Sequence, residues 1–142
     1  MILITGGAYQ GKLAFAKSIC EKREPMIAEG EKADFEELKQ ADIIGQFHLY
    51  IRRCMEERGN EKENSNEKNH LEEETEIEEQ VKELLQENPN VILEITQLGC
   101  GVVPIDAFDR SYREKVGRIG CILANQAEQV YLVNYGIPKQ LK

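Results

Sequence analysis

The sequence predicts an α/β protein: a mainly parallel sheet flanked by helices, in one domain covering residues 1–142. Three observations predict it. Two short apolar runs, Met1 to Thr5 and Val91 to Ile95, are each followed by a glycine-bearing turn, as buried strands are. Stretches with apolar residues at helical spacing follow the turns. Strand-like and helix-like segments therefore alternate, and this order favours parallel pairing through crossover helices.

Taken in order, Met1 to Thr5 is a strand stopped by Gly6-Gly7. The next segment, from Lys12 to about Arg23, repeats Leu13, Phe15, Ala16, Ile19 and Cys20 as a helix would. Pro25 to Ala28 reads as a second short strand ended by Glu29-Gly30. Residues 33–57 place Phe35, Leu38, Ile43 or Ile44, Phe47, Tyr50 or Ile51 and Cys54 on one face, which predicts one long amphipathic helix with Asp34 as its N-cap. Residues 58–69 hold no apolar side chain that could offset the entropy of ordering them, and a mobile loop is predicted there. Leu71, Ile77, Val81, Leu84 and Leu85 mark a Glu-rich helix that stops near Asn88-Pro89. Val91 to Ile95 is the interior strand, opening into Gly99 to Pro104. Asp106 or Asp109 caps a helix to about Ala127, and Val130 to Val133 forms a last strand before a tail from Tyr135 to Lys142.

Composition narrows the function classes. The 142 residues are 41% hydrophobic and 31% charged, with a formal charge of −8, which excludes a general nucleic-acid binder. Half of the acidic residues lie in residues 56–87, so the remainder is close to neutral and can still receive an anion locally. Cys20, Cys54, Cys100 and Cys121 are far apart, without a C-x-x-C pair or a signal-peptide pattern. They read as reduced, buried small hydrophobes of a cytoplasmic protein. No apolar run is long enough for a membrane span.

The chemistry concentrates in Gly6-Gly7-Ala8-Tyr9-Gln10-Gly11-Lys12-Leu13. This has the G-x-x-x-x-G-K spacing of a phosphate-binding loop, between a strand and a helix as that motif requires. Glycines let backbone N–H groups turn inward, the helix N-terminus adds partial positive charge, and Lys12, the candidate catalytic residue, reaches outer phosphates. ATP or GTP is the ligand this predicts. Leu13 stands where a Ser or Thr hydroxyl would hold magnesium, so no metal site is assigned. Glu29 and Glu94, each after an apolar run, are the carboxylates that could serve beside the loop, although Glu94 in mid-strand also suits a position facing solvent or an Arg. Arg110, Arg113, Lys115 and Arg118 crowd one helix, and Arg113 and Arg118 are further candidates for gripping a phosphate or a neighbouring subunit. His48 and His70 have no clustered partners and read as structural or solvated.

The segments ILITGGAYQGK (residues 2–12) and LGCGVVPIDAFDRSYREKVGRIGCILANQAEQVYLVNYGIPKQLK (residues 98–142) resemble the bifunctional adenosylcobinamide kinase/adenosylcobinamide-phosphate guanylyltransferase family. The turn Gly99 to Pro104 and the run Arg113 to Arg118 carry the likeness most distinctively. The resemblance implies a P-loop fold, phosphorylation of adenosylcobinamide by a nucleoside triphosphate, GMP transfer through a histidine, and a trimeric cytosolic protein of cobalamin biosynthesis. Three positions depart from the family pattern: Leu13 for its Ser, Thr96-Gln97 for its Asn-Glu, and Gly120-Cys121 for its Asn-Gln. The family's longer middle region with the guanylylated histidine is largely missing, and neither His48 nor His70 lies in a matching motif. The sequence thus predicts a divergent nucleotide-binding protein with kinase-like transfer to a corrinoid and without guanylyl transfer. The alternative is a catalytically inactive P-loop-fold binding protein whose acidic helix meets a partner, and a small phosphotransferase acting on some unrelated acceptor is a third reading.

Overall fold

A computed structural model describes the backbone of residues 1–62 and 70–142 and, outside residues 58–75, the side chains. Eleven elements follow one another: β1 (Ile2–Gly6), α1 (Lys12–Ile19), β2 (Ile27–Glu29), α2 (Phe35–Gln40), β3 (Ile43–Gly45), α3 (Phe47–Lys62), α4 (His70–Glu87), β4 (Ile92–Thr96), α5 (Ala107–Gln126), β5 (Gln129–Asn134) and β6 (Ile137–Gln140). The six strands form one sheet in the order β2-β3-β4-β1-β5-β6. Every pairing is parallel except β5 with β6. This is the α/β, P-loop-like architecture that the alternation predicts.

The sheet divides the apolar residues by strand alternation. Leu3, Ile44, Leu93, Ile95 and Val130 belong to the larger core, with Phe47 and Ile51 of α3, Val81 and Leu84 of α4, and Ile119 and Leu123 of α5. Ile4, Ile43, Ile92 and Val133 form the smaller core, closed by Ala16 and by Leu13, Phe15 and Ile19 of α1. Central strands covered on both faces are buried at almost every position, and β4 is buried throughout.

Residues 33–57 are not one helix. Asp34 does cap a helix, through a capping box with Glu37, but α2 ends at Gln40, and Asn88 donates to the carbonyls of Leu38 at 3.2 Å and Ala41 at 2.7 Å. Ile43 to Gly45 then fills the place between β2 and β4 as a fully buried strand. Two β-branched residues and a glycine suit a strand better than a helix, and their apolar spacing had fitted both periods. The first helix is also shorter than predicted: Cys20 is extended, and its N–H bonds Ala16 O. Helix α3 continues to Lys62, so residues 58–62 are helical, and the rest of the predicted mobile loop, 63–69, lies outside the described residues. The predicted C-terminal tail is instead a hairpin. Tyr135-Gly136 forms a two-residue turn with φ +51° and +75°, and Asn134 pairs with Ile137.

The cysteines are free, but burial holds for one of them: Cys54 is buried, Cys20 intermediate, and Cys100 and Cys121 exposed. Cys100 sits in the open Gly99 to Pro104 turn and Cys121 on the outer side of α5, where no core reaches them.

Gly6 is where the fold presses hardest on a single position. Its φ is +147°, and a Cβ there would lie 2.3 Å from Val133 O of β5. Gly6→Ala is expected to cost about 3 kcal/mol through strain and overpacking. Urea unfolding would check this, and a variant within about 0.5 kcal/mol of the parent, the range of an ordinary surface change, would contradict the close approach.

Candidate functional site

The candidate site lies at the carboxyl ends of the parallel strands, where α/β sheets place ligands. Gly6 ends β1, and the chain turns through Gly7 to Gly11 before α1 starts at Lys12. Three residues of the turn, Gly6, Tyr9 and Gly11, have positive φ. Gly11 occupies the N-cap in the left-handed region, and no side chain caps α1. The first N–H groups of the helix therefore remain for solvent or an anion.

The loop is braced from both sides. Gln97 N–H bonds Gly6 O at 3.0 Å, which ties the turn to the end of β4. On the other flank Gln10 O accepts from Gly136 N at 2.9 Å, and Gln10 Oε1 accepts from Tyr135 N at 2.7 Å. A Cβ on Gly11 would stand 3.2 Å from Gly136 Cα, so the two backbones are in contact. Sequence reasoning missed this brace. The usable signal was the glycine after a strand and before Ile137, which marks a hairpin as readily as a tail.

Lys12 is not solvated: it is 4% exposed. Its Nζ donates to Gly7 O at 2.8 Å and pairs with Glu94 Oε1 at 3.4 Å. Glu94 is equally buried beside the loop, so of the two positions the sequence left open for it the one facing solvent or an Arg is not taken. Register explains this: Glu94 lies opposite Ile4 on β1 and points to the α1 face, under the loop. Alternation in a sheet covered on both faces leaves no solvent side for it. Burial pushes the Glu94 carboxyl above its usual range, and the charge of Glu29 adds to this; Lys12 and the nearby backbone N–H of Gln46 pull the other way without overcoming it.

Glu29 reaches the same region from β2. Its carboxylate sits over Gly45, where a Cβ would lie 2.9 Å from Oε2, and Gln46 Nε2 donates to that oxygen at 3.4 Å. The sheet thus gathers Lys12, Glu29, Gln46 and Glu94 from four places in the chain. Among the described residues no group of three or more His, Cys, Asp or Glu side chains could hold a metal ion. Leu13 packs with the smaller core.

The arginines are elsewhere. Arg113 donates to Val102 O at 3.1 Å and to Gly99 O, and Arg110 to Pro104 O at 3.2 Å and to Ile105 O. They hold the Gly99 to Ile105 segment, which displays Val102 and Ile105 almost fully to solvent. Arg118 pairs with Glu114 on α5 at 2.7 Å. Beneath that segment a cavity of about 380 Å³ lies between the sheet and α5, lined by Thr5, Thr96, Gln97, Gly117 and Gly120 among others.

His48, in the first turn of α3, is buried, and its Nδ1 has no partner. Burial, helped by the charge of Lys12, lowers its pKa from 6.5 to about 4. The side chain of His70 lies outside the described residues.

A sequence profile of the family described as cobinamide kinase / cobinamide phosphate guanyltransferase matches residues 29–141. The match includes Glu29, Glu94 and the whole of α5, and begins after the Gly6 to Leu13 loop. No curated protein matches the chain.

The two shifted groups act on stability with opposite signs. Between about pH 4 and 6.5 the unfolded chain binds a proton at His48 that the folded chain does not, so stability from this group grows as pH rises and is lost as pH falls. That increment is expected to approach 3 kcal/mol and to vanish in His48→Gln; denaturant titrations at several pH values would check it, and parallel profiles for parent and variant would refute it. Glu94 keeps its proton longer in the folded state, so its contribution falls as pH rises above 4.5, and Glu94→Gln removes that decline.

Proposed function

The chain belongs to the cobinamide kinase / cobinamide phosphate guanyltransferase family of cobalamin biosynthesis, and on that premise we propose that it binds ATP or GTP at Gly6 to Leu13 and transfers a phosphoryl group to a corrinoid. The observation that carries this is Lys12: a buried ammonium fixed against Gly7 O, at the uncapped N-terminus of α1, inside a turn with three positive φ values. The geometry suits polyphosphate because the backbone N–H groups and the helix end can supply a cradle, with the Lys12 ammonium held at the loop by Gly7 O.

In this reading Gly6, Gly7, Ala8, Tyr9, Gln10, Gly11 and Leu13 contribute backbone, and Lys12 is the catalytic cation. Glu94 holds Lys12 in place until phosphate arrives, and Glu29, close enough for its charge to act on Glu94, is the second carboxylate at that rim. With Leu13 offering no hydroxyl, a magnesium ion would draw most of its ligands from the nucleotide and water, as that ion commonly does. Guanylyl transfer is left out because neither His48 nor His70 lies in a sequence motif matching that of the family's guanylylated histidine. Assembly into a homo-oligomer, a trimer by family resemblance, is part of the proposal. The apolar segment that Arg110 and Arg113 hold out to solvent supports it. A cytoplasmic location accords with this chemistry; among the described residues no helix is long and apolar enough to cross a membrane.

A second reading, a P-loop-fold protein that binds without turnover, is favoured by Leu13 and by the neutral Gln97 at the end of β4. One experiment addresses both. Calorimetry with ATP and GTP, each with and without magnesium, is expected to show binding that Lys12→Met weakens about a hundredfold, the loss of a charged hydrogen bond. Phosphorylation of cobinamide by the parent and not by Lys12→Met would establish the kinase. Binding without turnover would favour the second reading, and failure of the parent to bind either nucleotide would remove the first and leave the partner-binding role of the acidic helix.

A further inference from the structure

Two tyrosines flank the phosphate loop in a conformation that tyrosine rarely adopts. Tyr9 has φ +57° and Tyr135 φ +51°. Both are exposed, at 103% and 90%. Neither property stabilises the fold. A ring left in water forgoes the burial that makes aromatics valuable in a core, and the left-handed region is tolerated by Gly, Asn and Asp far better than by bulky residues. In a two-residue hairpin turn with both φ positive the favoured pair is Asn-Gly; this chain has Asn134 one position too early and Tyr135 in the turn itself. Strained residues that persist beside a site point to a role there.

The two rings are also tied to one frame. Gln10, next to Tyr9, accepts hydrogen bonds from Tyr135 N through its side chain and from Gly136 N through its carbonyl. The backbones of Gly11 and Gly136 touch. Tyr9 and Tyr135 are therefore attached at neighbouring points of the backbone, and Tyr135 belongs to the β5–β6 side of β1, opposite the strands that carry Glu29 and Glu94.

We propose that Tyr9 and Tyr135 form an aromatic clamp for the base of the nucleotide whose phosphates occupy the loop. The proposal rests on the reading of Gly6 to Leu13 as a phosphate cradle. Every nucleobase offers a π face, so stacking asks for no matching hydrogen-bond edge and accepts adenine and guanine alike. Two tyrosines give this contact at little conformational cost, with only two side-chain torsions each.

The test compares ATP and GTP with inorganic tripolyphosphate, which has the phosphates and no base. Calorimetry would be run on the parent, Tyr9→Asn and Tyr135→Asn, with Tyr135→Phe retaining the ring. Asparagine suits the backbone at both positions, so the variants are expected to melt no lower than the parent. The expected result is about tenfold weaker binding of both nucleotides in each Asn variant, tripolyphosphate unchanged within about twofold, and parent-like affinity in Tyr135→Phe. Unchanged nucleotide affinity in both Asn variants overturns the clamp and leaves the cradle standing. So does an equal loss for tripolyphosphate, which would mean that the tyrosines only shape the loop, or a parent that binds nucleotides no more tightly than tripolyphosphate. A parent that binds none of the three overturns the cradle itself, and the clamp with it.

Discussion

An ammonium group withdrawn from water must be met by a carboxylate or a carbonyl, because an unpaired buried charge costs several kcal/mol. Lys12 meets both, Glu94 and Gly7 O. That requirement explains much of the arrangement around it. Glu94 can reach Lys12 only if β4 lies beside β1 in the observed register. The loop can bring Gly7 O to the same atom only if it turns sharply after Gly6, and that turn passes so close to β5 that a side chain at Gly6 has no room. The pair is thus less a source of stability than a device that fixes where the lysine stands.

The charges around the pair follow from the same geometry. Parallel strands end together, so residues from β2, β3 and β4 converge at one rim although they are far apart in sequence. Glu29 and Glu94 arrive there on the α1 face, and Gly45 between them leaves space for the Glu29 carboxylate. Burial of His48 close by keeps its imidazole neutral at ordinary pH, so the cation at this rim is Lys12, and the two carboxylates are not matched by a second positive charge from His48. Of the arginines of α5, which could have supplied it, Arg110 and Arg113 spend donors on the carbonyls of residues 99–105, and Arg118 pairs with Glu114.

Much of this was legible in the sequence where a signal is local. The glycine turn after β1, β1 itself, β4 and the N-cap at Asp34 each announce themselves within a few residues, and Asp106 was one of the two caps offered for α5. What was not legible depends on partners distant in the chain. Ile43 to Gly45 fits either a helical face or a strand, and only the gap between β2 and β4 decides. The side of β4 that Glu94 takes is silent in the sequence, because in a strand buried on both faces alternation carries no polar signal. Arg113 and Arg118 drew notice by charge and by the family likeness of their run, whereas the partners they find, the carbonyls of Val102 and Gly99 and the carboxylate of Glu114, are not written in that run. Gln10 looked like filler inside a motif, and its two bonds to the hairpin turn could be found only with β5 and β6 in place.

That last contact makes the conformation of the Gly6 to Leu13 loop a late product of folding. Residues 6–13 are held open by residues 135 and 136, and the hydrogen bond between Gln10 and Tyr135 closes a loop of 125 residues. Contacts so distant in sequence form only after the intervening chain has been ordered, since closure entropy must be met before they reward it. A chain that has assembled β1 and α1 but not the final hairpin therefore has the Gly6 to Leu13 sequence without the turn geometry that Gln10, Tyr135 and Gly136 hold, and that geometry arrives with completion of the sheet.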